Sequence, residues 1–262
     1  MNADDSGKVE VLERGAMTAV LGDSLSPAVG APTPATADTV STGAIERCTH
    51  SPLVTQDRPA DRVAYQRNAT GWLTWMMALP FSTGPVADTT GAACGLGQSG
   101  RVWYLAGTTG GAVARTCTIP ANKQIFVPLI NRWGVSPDLD QFVPDVLAWF
   151  DESRAATCSL TLRLDGRDLL PAPGSVDAAL YASVDAPFSM VINDDNWASA
   201  YGVPGGDTRA MTSGYYALFE PLTPGDHVLE IGGATCDGGV VDFSTAATYT
   251  LHVLGGHGHG HH

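Results

Sequence analysis

The sequence contains little positive charge and almost no lysine. Asp and Glu number 27 against 14 Lys and Arg, and the net charge at pH 7 is −13. Lys8 and Lys123 are the only lysines. A surface of this sign repels a phosphate backbone, and no basic stripe with interleaved aromatic residues is present. The composition therefore argues against nucleic acid as a partner.

Long hydrophobic runs are also missing. No apolar stretch approaches the roughly 20 residues that cross a bilayer as a helix, so we predict no membrane span. Residues 1–15 are acidic, whereas the start of a secretory leader is basic. The sequence as written therefore shows no signal peptide, which leaves two alternatives, a leader that has been removed or a cytosolic protein.

Cysteine is scarce, and its spacing excludes the common zinc motifs. There is no CxxC pair and no Cys/His cluster of zinc-finger spacing. Scattered cysteines on predicted strands and turns are typical of disulfides in an oxidising compartment, with buried free thiols as the alternative. We therefore expect a secreted or extracytoplasmic protein. If two bridges form, Cys48 is our candidate for the unpaired cysteine. The five cysteines are Cys48, Cys94, Cys117, Cys158 and Cys236.

Glycine and proline are abundant in an otherwise apolar chain. With 30 Gly, 17 Pro and 44% hydrophobic residues, the composition is typical of short strands separated by turns. In one such run Leu160, Leu162 and Leu164 alternate with polar residues, as in a half-buried strand. The pattern contains no βαβ alternation. We predict an all-β fold, a β-sandwich or jelly roll, with two accessory helices over residues 62–79 and 143–155.

Composition also divides the chain. Residues 24–44 are rich in Pro, Ala, Thr and Ser and show no periodicity, which is typical of a linker or an extended arm. We predict a flexible or extended N-terminal arm over 1–46, a single β-sandwich domain over 47–254 and a His/Gly tail over 255–262. The imidazoles of this tail would suit Ni²⁺, Cu²⁺ or Zn²⁺, but we interpret it as an affinity tag or a loose tail.

Two stretches resemble a known group of proteins. They are "GAACGLGQSGRVWYLAGTTGGAVARTCTIPANKQIFVPLIN" at residues 91–131 and "GYYALFEPLTPGDHVLEI" followed by "TYTLHV" near the end, about a quarter of the chain. Both are similar to blocks in a family of uncharacterised secreted bacterial β-domain proteins. The resemblance implies a secreted β domain in which Cys94 and Cys117 are paired, and it implies no activity.

Residues 22–25, "GDSL", match the nucleophile block of the GDSL esterases. A nucleophilic serine needs a base that a carboxylate orients, and those enzymes supply the base from an Asp-x-x-His motif. Here no histidine outside the tail has an aspartate three residues before it, and no Gly-x-Asn-Asp block is present. The sequence therefore contains no complete catalytic set of this kind. Ser24 and His227 are the only catalytic candidates that we name, and we interpret Ser24 as an arm or turn residue.

Tryptophans in predicted loops are the best binding candidates. Trp133 follows a predicted strand, and Trp197 lies in a stretch without a strand pattern, residues 193–212. Such tryptophans can stack on sugar rings or apolar ligands, although a role in the core is the alternative. Together with the neighbouring Asn193 and Asp194, they form our predicted ligand-binding set.

Two polar stretches offer oxygen atoms that would suit Ca²⁺, residues 193–196 and 236–242. Neither follows the EF-hand pattern, so we interpret both as solvated loop acids and assign no metal site. For function we predict a secreted or surface-associated β-sandwich domain that binds a glycan or a protein ligand through its loops. The alternative is a secreted hydrolase, an esterase or a glycosidase, with an unassigned site.

Overall fold

A computed structural model describes residues 9–14, 17–23 and 51–255. Ser24, Cys48 and residues 256–262 therefore lie outside the described residues. Within the described ranges, the chain forms twelve strands in two sheets and two α-helices. The elements are β1 (Val9–Arg14), β2 (Met17–Asp23), β3 (Leu53–Val54), α1 (Pro59–Ala78), β4 (Val102–Tyr104), β5 (Gly111–Ile119), β6 (Gln124–Ser136), α2 (Val143–Ala156), β7 (Thr157–Leu164), β8 (Arg167–Asp168), β9 (Tyr181–Ile192), β10 (Gly206–Phe219), β11 (Gly225–Asp237) and β12 (Val240–Val253).

The two sheets differ in size and order. Sheet A has seven strands in the order β1-β2-β6-β10-β3, with β4 also paired to β6 and β9 to β10. Sheet B has five strands in the order β5-β12-β11-β7-β8. All pairings are antiparallel except β4 with β6 and β5 with β12, which are parallel. Two stretches of the predicted arm are thus strands, since β1 and β2 form a hairpin whose second strand pairs with β6.

The two sheets pack face to face as a β-sandwich, as the composition predicts, while jelly-roll connectivity stays a prediction. Leu160, Leu162 and Leu164 of β7 all point into the core between the sheets, as their alternation predicts. The sheets approach closely at Gly233 of β11, where an added Cβ would lie 2.7 Å from the Cβ of Ile130. A second core lies on the opposite face of sheet A, beneath α1. The order of layers is therefore α1, sheet A and sheet B.

Both predicted helices are confirmed, with small shifts at their ends. α1 begins at Pro59, a residue whose fixed φ suits the first turn, and Arg58 forms a bidentate ion pair with Asp61 there, at 2.7 and 2.8 Å. It ends at Ala78, two residues before Pro80, which cannot donate a helical hydrogen bond. Within the described ranges, neither helix combines the length and apolar composition that crossing a bilayer requires.

Two strands are longer than the sequence pattern indicates. β6 continues to Ser136, so Trp133 lies inside a strand, and β10 begins at Gly206, so the predicted loop over 193–212 ends much earlier. Polar residues interrupt the apolar pattern in both extensions, so the sequence does not indicate strands there. In the folded chain these residues find hydrogen-bond partners. The hydroxyl of Thr212, for example, donates to the backbone oxygen of Arg132 at 2.8 Å.

Two disulfides lie within the described residues. One joins a loop to β5, and the other joins β7 to β11. Cys94 and Cys117, the pair that the resemblance implies, are bonded with an S–S distance of 2.03 Å. Cys158 of β7 and Cys236 of β11 are bonded at 2.06 Å. These bridges account for four of the five cysteines.

Candidate functional site

An aromatic cleft opens where α1 meets sheet A, and we call it the tryptophan cleft. Its volume is about 310 Å³. A second depression of about 250 Å³ shares four of its walls and continues as far as Asn196. None of the described residues that line either space carries a charged side chain. The principal walls are Trp72, Met76, Phe81, Val86, Trp133 and Trp197.

The walls come from four different segments. α1 supplies Trp72 and Met76, which are four residues apart and therefore share one face of the helix. The Trp72 indole nitrogen donates to the backbone oxygen of Leu105 at 2.8 Å, which fixes the ring. β6 supplies Trp133, whose ring stands edge-on to Trp197 with the centroids 5.4 Å apart and the planes at 83°. The cleft is thus assembled by the tertiary fold.

A polar turn, residues 193–196, holds the rim of the cleft in place. The backbone oxygen of Asp195 accepts from the amide of Phe81 at 2.6 Å, and its carboxylate accepts from the amide of Ser82 at 3.2 Å. The amide of Asn193 donates to the backbone oxygen of Met77 at 2.8 Å. These bonds fasten the turn to the end of α1 and to Phe81 and Ser82 just after it.

The structure brings together two of the four predicted ligand-binding residues. Trp133 and Trp197 meet in the cleft, but Trp133 is only 2% exposed, so it is a buried wall instead of an open stacking platform. Asn193 turns towards α1, and its side-chain nitrogen donates to the backbone oxygen of Ala78 at 3.3 Å. Asp194 is exposed on the turn. Asn193 and Asp194 therefore shape the rim and do not face the cleft's walls.

Sequence reasoning missed Asn196. The residue is 3% exposed, and its side-chain nitrogen donates to the backbone oxygens of Asn193 at 2.8 Å and Val203 at 3.3 Å. Its side-chain oxygen is buried without a hydrogen-bond partner among the described residues, and so is the indole nitrogen of Trp133. Buried polar atoms are nearly always paired in native proteins, and a further exception, the indole nitrogen of Trp103, lies in the core between the sheets. An asparagine in a polar loop gives no signal of this in the sequence.

His227, the predicted catalytic histidine, has both ring nitrogens engaged. Nδ1 lies 2.8 Å from a carboxylate oxygen of Asp165, and Nε2 lies 2.9 Å from the backbone oxygen of Thr223. The carboxylate and the backbone oxygen can only accept, so both nitrogens donate when the ring is protonated, whereas the Thr223 hydroxyl, 3.3 Å from Nε2, can donate to this nitrogen in the neutral ring. Burial lowers the pKa of His227, but the hydrogen bonds to Asp165 and Thr223 outweigh burial and raise the pKa above its ordinary value of 6.5.

The His227 contacts predict a pH-dependent stability. A histidine whose pKa is raised on folding contributes stability that is complete below the unfolded pKa of about 6.5 and disappears as the pH rises through the folded pKa. We therefore expect His227→Gln to lower the free energy of unfolding more at about pH 5.5 than at about pH 8.5. Urea unfolding across this range measures the difference. Asp165→Asn should likewise lower the free energy of unfolding more at about pH 5.5 than at about pH 8.5. An equal loss at both pH values for His227→Gln would contradict the prediction.

The two stretches with oxygen atoms suited to Ca²⁺ make other contacts. In residues 193–196 the side-chain oxygen of Asn193 accepts from the amide of Asp195 at 2.9 Å. In residues 236–242 a carboxylate oxygen of Asp242 accepts from the hydroxyl of Thr235 at 2.6 Å. Across the described ranges, no three His, Cys, Asp or Glu side chains converge as a metal site would require.

Comparisons with known proteins give no match among protein-family models, among curated proteins or among solved structures. The resemblance to secreted bacterial β-domain proteins stays a prediction. The case for a function therefore rests on the geometry of the tryptophan cleft.

Proposed function

We propose that this protein is a ligand-binding domain and that its tryptophan cleft holds a small, uncharged, largely apolar ligand. The observation that carries the proposal is the convergence of three tryptophans, a phenylalanine, a methionine and a valine on one concave space. Small-molecule sites are concave and mostly apolar.

The electrostatics favour an uncharged ligand. The chain carries a net charge of −13, yet the described residues that line the cleft carry none. An ion that entered such a space would lose its hydration and meet no counter-charge. Burial without a partner costs about 2–7 kcal/mol for a neutral polar group, and it costs more for an ion. A neutral molecule avoids this cost.

Size and exposure favour a small molecule over the glycan or protein ligand of the sequence-based prediction. A specific protein partner covers about 800 Å² of surface, far more than this cleft offers. Stacking on a glycan chain needs a tryptophan with an open ring face, whereas Trp133 is buried. The two disulfides, Cys94–Cys117 and Cys158–Cys236, support an extracytoplasmic location for this binding domain.

Toluene is a suitable probe for the cleft. We expect it to bind the full chain, and we expect Trp197→Ala to weaken its binding by about tenfold, because the variant removes one aromatic wall. Trp149→Ala is the matched control. Trp149 is also a half-buried tryptophan, but it packs against Phe150 on α2, with the ring centroids 5.7 Å apart.

Ligand-observed NMR titration gives the dissociation constants, and urea unfolding shows that each variant folds. Toluene affinity that falls in Trp197→Ala and persists in Trp149→Ala supports the proposal. A chain that does not bind toluene, or an equal effect of the two substitutions, would overturn it.

A further inference from the structure

We propose that the bridge between Cys158 and Cys236 is a site of thiol–disulfide exchange, which a dithiol reductant opens while the domain stays folded. The bridge between Cys94 and Cys117 then serves as the permanent, structural one. None of these four cysteines lines the tryptophan cleft, so the exchange site is separate from the proposed ligand-binding function.

The two bridges differ in exposure. Cys158 is exposed and Cys236 is half-buried, whereas Cys94 and Cys117 are 9% and 1% exposed and belong to the core between the sheets. Thiol–disulfide exchange needs a thiolate to reach a sulfur atom of the bridge, so its rate depends on access. A reductant can therefore reach the Cys158–Cys236 bridge in the folded domain, and it reaches the other bridge only when the core opens.

The backbone around Cys158 explains the exposure of this residue. Its two neighbours, Thr157 and Ser159, pair with consecutive residues of β11, so Cys158 is the extra residue of a β-bulge. By alternation with Leu160 it would point into the core, but a bulge re-aims a side chain. The bulge thus places Cys158 outside the core that the rest of β7 faces.

Cys236 lies just beyond the last residue of β11 that pairs with β7. That pairing ends at Thr235, and β11 turns into β12 at residues 238–239. Val240 and Val241, directly after this turn, are 70% and 56% exposed. The bridge therefore lies at an open corner of sheet B, next to an exposed hairpin end.

The exchange takes two steps. One thiolate of the dithiol attacks the sulfur of Cys158, the more exposed cysteine, and forms a mixed disulfide while Cys236 leaves as a thiolate. The second thiolate of the reductant then attacks the reductant's own sulfur in the mixed disulfide, closes a cyclic disulfide and releases the thiolate of Cys158. The bridge gains two electrons and the dithiol loses two, and the two cysteine thiolates take up the two protons that the dithiol released.

The domain keeps the contacts around this bridge when the bridge opens. β7 and β11 stay joined by their backbone pairing, which runs from Leu164 with Leu229 to Thr157 with Thr235. β12 pairs with the other edge of β11 along its length. Reduction therefore lowers the stability of the domain and removes the covalent link at the corner, but it leaves sheet B assembled.

Timed reduction of the full chain in a Cys48→Ser background tests the proposal. The folded protein is incubated with dithiothreitol and alkylated at intervals, and peptide mass spectrometry reports the fraction of each cysteine that has become a free thiol. We expect Cys158 and Cys236 to be alkylated at least about tenfold faster than Cys94 and Cys117, because the buried bridge reacts only after the core opens. Tryptophan fluorescence, followed in parallel, should stay native while the first bridge is reduced.

The same reaction in guanidinium is the matched control. Both bridges are accessible in the unfolded chain, so the two pairs of cysteines should then be reduced at similar rates. This comparison separates an effect of the fold from an effect of the residues next to each cysteine.

Faster reduction of Cys158–Cys236 in the folded protein, with the difference removed by guanidinium, supports the proposal. Equal rates for the two bridges in the folded protein, or earlier reduction of Cys94–Cys117, would overturn it. Native fluorescence that is lost in step with the alkylation of Cys158 would also overturn it, because the domain would not stay folded as the bridge opens. A difference that persists in guanidinium would overturn it too, since the fold would not be its cause.

Discussion

Replacing Arg115 with methionine is expected to lower the free energy of unfolding by about 4 kcal/mol, because a buried network of charge-assisted hydrogen bonds would lose its centre. Arg115 lies on β5 and is 3% exposed. Its guanidinium donates at 2.7–3.0 Å to five oxygens, namely the backbone oxygens of Val86, Asp88, Ala106 and Gly107 and the hydroxyl of Tyr249. Methionine fills similar space and leaves the part-buried backbone oxygens of Val86, Asp88 and Gly107 without this donor, while the oxygen of Ala106 keeps the bond from the Tyr249 hydroxyl at 2.7 Å.

The Arg115 network also supports the cleft, since Val86 and Gly107 both line it. Arg115→Lys should recover only part of the stability, because an ammonium has three donors and no fork geometry. Arg163→Met is the control: this arginine is half-exposed and pairs with Glu230 at 3.1 Å, and its loss should cost less than about 1 kcal/mol. Urea unfolding at neutral pH measures all three variants. A loss no larger for Arg115→Met than for Arg163→Met would show that the network contributes little.

Removing the bridge between Cys158 and Cys236 is expected to cost about 4.5 kcal/mol in the chain-entropy description of disulfides. The two cysteines are 78 residues apart in sequence, so their bond restricts a long loop in the unfolded chain. Cys94 and Cys117 are 23 residues apart, which corresponds to about 3.5 kcal/mol. Guanidinium unfolding of Cys158→Ala/Cys236→Ala, made in a Cys48→Ser background to prevent thiol exchange, measures the loss.

Reduction provides the control for this measurement. In a reducing agent the parent loses the same bridge, so its stability should approach that of the double variant reduced in the same way. If the parent and the double variant unfold at the same guanidinium concentration under oxidising conditions, the bridge adds no stability and the prediction is wrong.

Local patterns predicted most of the fold. The alternation of Leu160, Leu162 and Leu164 predicted β7, and helical spacing predicted α1 and α2. The sequence did not predict the full length of β6 and β10, where residues such as Arg132 and Thr212 interrupt the apolar pattern. The Thr212 hydroxyl finds its partner across strands, in the backbone oxygen of Arg132, and a local pattern contains no information about such partners.

The sequence indicated some of the residue types in the candidate site, but it did not indicate how they are arranged. Trp133 and Trp197 could be singled out because tryptophan in a predicted loop is typical of binding sites. Trp72 belongs to the core beneath α1, yet it forms a wall of the cleft as well. The orientation of the Asn196 side chain depends on the backbone oxygen of Val203, whose position only the folded chain defines.

The parallel pairing of β5 with β12 determines the order in which the domain can fold. Gly111 and Thr245 are direct partners in this pair, although they lie 134 residues apart in the sequence. During synthesis β5 therefore emerges long before its partner, and sheet B cannot close until β12 has left the ribosome. Such non-local pairing slows folding and exposes an unpaired strand edge in the meantime. We expect the domain to complete its fold only once β12 has been synthesised.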